Sequence, residues 1–85
     1  MQEKKQIILN ALAETVKDLR GNKSKFILGS ECDISTSILS TVERGLKDPQ
    51  LTTIFKLSEA FEIAPYEFMK LICKKLPKGF ELLEK

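Results

Sequence analysis

Apolar residues recur along this chain at intervals of three and four and nowhere alternate strictly with polar ones. Residues three and four apart share a helix face, so the pattern predicts α-helices and no strands. Ile8, Leu12, Val16 and Leu19 form one stripe, with Leu9 and Ala13 alongside and Glu14, Lys17 and Asp18 outside it. A long amphipathic first helix is predicted over about 7–19, while the polar residues 1–6 are expected to fray. Arg20-Gly21-Asn22 is a turn signal. Ser24 is placed to cap a short second helix over 25–32, packed through Leu28, Gly29 and Cys32. Glycine costs a helix about 1 kcal/mol against alanine, and Gly29 therefore points to a close approach by the third helix. Phe26 is expected to pack back on the first helix.

Ser35 is placed to cap the next helix, predicted over 36–44, and Gly45 ends it because a left-handed position costs glycine little. Ile38, Leu39 and Val42 are its apolar stripe. After the loop at Leu46-Lys47-Asp48-Pro49, a fourth helix is predicted over 51–61, buried through Leu51, Ile54, Leu57, Ala60 and Phe61. Pro65 suits a first helical position and opens a fifth over 65–76, with Phe68, Met69, Ile72, Cys73 and Leu76 on one face. Pro77 and Gly79 end it, leaving a C-terminal tail at 77–85. The chain reads as all-α, a compact five-helix domain over 1–76.

Composition narrows the function classes. An apolar share of 42% and a charged share of 31% are ordinary for a globular protein. The net charge of +2, from 14 basic and 12 acidic residues, is weakly basic. A nucleic-acid partner would therefore require the positive charge to be gathered on one face. No apolar run approaches the roughly 18 residues of a spanning helix and no signal-peptide core follows the start, so a cytoplasmic protein with no membrane partner is expected. Cys32 and Cys73 form no CxxC pair and the chain has no histidine, which argues against a zinc site and for two reduced, buried thiols. There is no glycine-rich phosphate loop, nucleophile–base pair or metal-spaced carboxylate cluster, so neither an enzyme nor a cofactor is expected.

The third helix carries the candidate chemistry. Thr36, Ser37, Ser40 and Thr41 give it an uncharged face that donates and accepts hydrogen bonds. Arg44 and Lys47 follow, and Lys25 stands at the start of the second helix, beside the positive end of its dipole. Such a helix suits a DNA major groove, as the recognition helix of a helix-turn-helix. Ordinary surface polarity is the plainer explanation of the same hydroxyls. Glu43, at a helix C-terminus where a carboxylate opposes the dipole, needs a cation or amide partner and is expected to be structural.

The run Ser24-Lys25-x-x-Leu28-Gly29-x-x-Cys32-Asp33-Ile34-Ser35-x-x-x-Leu39-Ser40-x-Val42-Glu43-Arg44-Gly45 resembles the Cro/repressor-type helix-turn-helix family. The resemblance continues through Pro49-x-Leu51-x-Thr53-Ile54-x-Lys56-Leu57-x-x-Ala60-Phe61-x-Ile63 and covers about residues 7–70. It implies a lambda-repressor-like domain, with its helix-turn-helix at helices 2 and 3, that binds double-stranded operator DNA as a homodimer. Carried over by position, base contacts would fall to Thr36, Ser37, Ser40 and Thr41. Lys25, Arg44 and Lys47 bracket the third helix and are assigned to phosphates, with Ser24, Ser35 and Gln50 beside them. The chain departs from the family in having Lys25 where glutamine is frequent, Asp33 and Glu62 where turn glycines stand, and a short threonine at 41.

The C-terminal apolar set, Phe68, Met69, Ile72, Leu76, Phe80, Leu82 and Leu83, exceeds what such a domain needs to close its core. It is expected either to complete that core or to form a dimer or partner surface. Two functions follow: a repressor or autoregulator acting on a near-palindromic site, or an antitoxin-like module that binds a protein through this surface.

Overall fold

A computed structural model describes residues 2–83; the ends of the predicted domain and tail, Met1, Glu84 and Lys85, lie outside the described residues. It is all-helical, with α1 over Gln2–Arg20, α2 over Lys25–Cys32, α3 over Thr36–Glu43, α4 over Leu51–Ala60 and α5 over Pro65–Lys74. Four of the helices begin where the capping serines and the prolines put them, and α5 ends at Lys74 rather than at 76. The exception is α1, which starts at Gln2 rather than Ile7, so residues expected to fray are helical.

The long α1 forms the back of the molecule and packs on α3 and α5, while α2 packs on α3 and α4, and α4 on α5. Leu12 and Val16 of α1 meet Leu28, Leu39, Val42, Leu57, Phe68 and Ile72 in one core. Phe61 lies edge-on to Phe68, with ring centroids 5.9 Å apart. More of α1 is inside than its stripe foretold, because Ala11 and Thr15 are also buried. The Thr15 hydroxyl donates to Ala11 O at 2.8 Å, so its burial leaves no polar group unpaired.

Several apolar side chains expected inside are outside. Phe26 is 74% exposed rather than packed on α1: Leu28 and Cys32 face the core, and a residue two positions before Leu28 points nearly the opposite way. Ile38 is exposed, since α3 buries Leu39, Val42 and Glu43 instead. Leu51 is 67% exposed. Each three-residue step falls about 60° short of a full turn, so a stripe at 51, 54 and 57 drifts and its first member leaves the core. Ser58 takes the inner position beside Leu57, with its hydroxyl donated to Phe55 O at 2.8 Å. On α5, Phe68 and Ile72 face inward, which turns Met69 and Cys73 about 100° away to the surface. Cys32 alone of the two thiols is buried.

One ion pair ties the back helix to α3. Arg20 at the end of α1 grips Glu43 with both prongs, Nε to Oε2 at 2.6 Å and an Nη2 to Oε1 bond at 2.8 Å. Its remaining amine, Nη1, donates to Lys23 O at 2.8 Å, fastening the α1–α2 turn as well. Glu43 is only 3% exposed as a side chain and Arg20 19%. The carboxylate bonded to it raises the Arg20 pKa further, outweighing the desolvation that lowers it.

Two outcomes follow. Arg20→Ala strands a buried carboxylate and should cost about 3–5 kcal/mol, a fall in Tm of at least about 12 °C for a domain of this size. Glu43→Ala should cost less, because the freed guanidinium can reach water, and the paired change Arg20→Met with Glu43→Leu should be the mildest. Equal losses for the three in thermal melts would contradict this. Thiol titration with an aromatic disulfide should label Cys73 at once. Cys32, whose pKa burial pushes up, should react only on unfolding.

Candidate functional site

The surface of interest is made by α2, the start of α3 and the turn between them. Ser24 Oγ caps α2 by accepting from Ile27 N at 3.1 Å, and Ser35 Oγ caps α3 by accepting from Ile38 N at 3.2 Å. The chain reverses at Asp33, which adopts the left-handed conformation with φ 57° and ψ 47°. Ile34 N then returns to Gly29 O at 2.9 Å. A Cβ at Gly29 would sit 2.5 Å from Ile34 O and 3.3 Å from Leu39 Cδ1. The glycine is thus what lets the turn and α3 close on α2. Lys56 of α4 steadies the turn from behind, donating to Asp33 O at 3.4 Å.

Thr36 and Ser37 are exposed at the open end of α3, whereas Ser40 and Thr41 are half-buried. The Thr41 hydroxyl donates to Ile38 O at 2.7 Å, so only its lone pairs and methyl are available outward. Ser35 and Ser37 hydroxyl oxygens lie 3.4 Å apart. Thr36 and Ser35 line, with Phe26, Ser30 and Asp33, an open groove of ≈ 580 Å³ in the elbow between the helices. Phe26, expected against α1, gives this groove an apolar rim instead.

Among the described residues Lys25, Arg44 and Lys47 make no ion pair, as is also true of Lys17, Lys70, Lys74 and Lys78 elsewhere. Lys23 is held by Glu31 at 2.7 Å. Gln50 precedes α4 as its N-cap residue without a side-chain cap bond. The Asp33 carboxylate is 98% exposed and only loosely approached by Lys56 at 3.9 Å, so the elbow also carries a negative charge.

Comparison with protein-family models, curated proteins and solved structures finds no match to the chain. A helix end with exposed hydroxyls can hydrogen-bond a polar surface, and Lys25, at the start of α2, adds attraction for an anionic one.

The C-terminal set divides. Phe68 and Ile72 are core residues and cannot be a docking surface, because they face the packed interior of α5. Leu76 and Phe80 are half-buried, and Met69, Leu82 and Leu83 are exposed. Tyr66, a turn before Met69, joins them as an exposed side chain that the sequence reading did not single out. Ser35→Ala, which removes the α3 cap, should cost about 1 kcal/mol and lower Tm by about 4–8 °C. No shift in the melting curve would mean that the cap does not hold the helix end.

Proposed function

We propose that this chain is a sequence-specific DNA-binding transcriptional regulator, a repressor or autoregulator, with α2 and α3 as a helix-turn-helix in a lambda-repressor-like domain. It acts in the cytoplasm as a homodimer on a near-palindromic operator. The observation that carries this reading is the exposure of Thr36 and Ser37 beyond a tight elbow at the start of α3, while Lys25 at the start of α2 and Arg44 and Lys47 after the end of α3 make no ion pair among the described residues. α3 enters the major groove, and Thr36 and Ser37 reach base edges. Threonine methyls meet thymine methyls, and hydroxyls bond either donors or acceptors. Ser40 and Thr41, being half-buried, contribute at the margin.

The uncharged helix face makes shape and bridging water a larger share of the specificity than bidentate readout. Lys25, Arg44 and Lys47 take phosphates, with Ser24, Ser35 and Gln50 as neutral donors. Asp33 is the counterweight: its charge opposes the backbone and tunes affinity downward. An antitoxin-like role remains the alternative, resting on Tyr66, Met69, Leu82 and Leu83 as a protein-binding surface; co-purification with a second polypeptide would favour it.

Selection of bound sites from random DNA tests the main reading. It should return a near-palindrome with half-sites about 34 Å apart. With about three phosphates neutralised per subunit, log affinity should fall against log salt with a slope of about −5. The double change Thr36→Ala with Ser37→Ala should weaken operator binding about tenfold and relax preference at the bases they face. A slope near zero, or an unaltered double variant, would end the case.

A further inference from the structure

The first turns of α1 reach across to the loop that leaves α3. Gln6 Nε2 donates to Gly45 O at 2.8 Å, and also to Asn10 Oδ1 at 2.8 Å, one helical turn along its own face. The second bond orients the amide for the first. Gly45 is buried with φ +71°, and a Cβ there would lie 2.7 Å from Asn10 Oδ1 and 3.0 Å from Gln6 Nε2. The glycine is therefore demanded twice, by its backbone conformation and by the amides pressed against it. On the far side of the loop, Lys5 Nζ stands 3.8 Å from Asp48 Oδ2. Leu46 and Lys47 are thus bracketed by two fastenings, both from the segment of α1 whose polar sequence carries no periodic signal.

We propose that Gln6 is a positioning residue for DNA binding, holding the loop so that Lys47 meets a phosphate. The inference rests on the DNA-binding reading. Gln6 itself is on an exposed face. Its amide fixes the carbonyl of the residue two before Lys47, and Lys5 fixes the residue after it. An ammonium on a flexible stem loses less freedom on binding when its backbone is already set. The Lys5–Asp48 contact is long and exposed, so it assists the placement electrostatically and the amide bond carries it.

The test compares the full-length wild type with Gln6→Ala, Lys47→Ala and the double variant, using a duplex of the site recovered by selection. Gln6→Ala introduces a strong helix former on an exposed face, so Tm should stay within about 5 °C of wild type. Its operator affinity should nonetheless fall about five- to tenfold, and the salt slope should become shallower by about 1 to 2 as Lys47 loses its phosphate in each subunit. In the Lys47→Ala background the same change should cost less than about twofold, because the two act through one contact. Gln6→Asn, one methylene too short for the bond, should behave like alanine. Independent losses from the two sites, or an unchanged slope, would overturn the inference while leaving the DNA reading standing. Wild-type protein that binds no duplex would remove both.

Discussion

Glu43 is a carboxylate inside the protein at the one end of α3 where the helix dipole disfavours it. Left alone, a buried charge so placed would be costly. Arg20 resolves this by meeting both carboxylate oxygens from the last turn of α1 and spending its third amine on the following loop. The pair is not a strong source of net stability, because desolvating two ions offsets most of their attraction. What it supplies is registry. A two-pronged bond satisfies itself in one relative placement of α1 and α3, whereas the hydrophobic attraction between Leu12, Val16, Leu39 and Val42 is non-directional. With α3 pinned at Glu43, the orientation of its open face follows.

The helices were legible because their stripes are long enough to define a face. The faces themselves were legible only to within about one residue. In helices of 8 or 10 residues, such as α3, α4 and α5, two adjacent apolar residues compete for the inner position, and the periodic pattern does not choose between them. Leu39 wins over Ile38, Phe68 over Met69 and Ile72 over Cys73 because the neighbouring helices decide, and their placement is not a local property. The early start of α1 was missed for a related reason. Gln2–Gln6 has no apolar rhythm, and what secures it lies about forty residues away at Gly45 and Asp48. Glu43 could be read as needing a partner; which cation would reach it could not.

The turn residues make the opposite point. Asp33 and Glu62 occupy left-handed positions, with φ 57° and 60°, where departure from glycine left the geometry open. Each costs of order 1 kcal/mol, and each is held by the chain closing around it. After Asp33, Ile34 N bonds Gly29 O at 2.9 Å, and after Glu62, Ile63 N bonds Ser58 O at 3.0 Å. The backbone bonds that end α2 and α4 thus dictate these conformations against local preference. Position in the fold, more than residue type, decided the turn.

These constraints converge on α3. Its N-terminus is set by the Ser35 cap and by Gly29, which admits the turn closely against α2. Its C-terminus is set twice from α1, by Arg20 on Glu43 and by Gln6 on Gly45. A helix of 8 residues is too short to be stable alone, so its order is borrowed from the burial of Leu39 and Val42 and from these fastenings. That leaves Thr36 with no part in these fastenings, and Ser37 with only a 3.4 Å contact to the capping hydroxyl of Ser35. On the proposed function this division is what a reading helix requires: every bond that holds it comes from behind or from its ends, and the face turned outward can change its side chains, and hence its preferred site, without disturbing the fold.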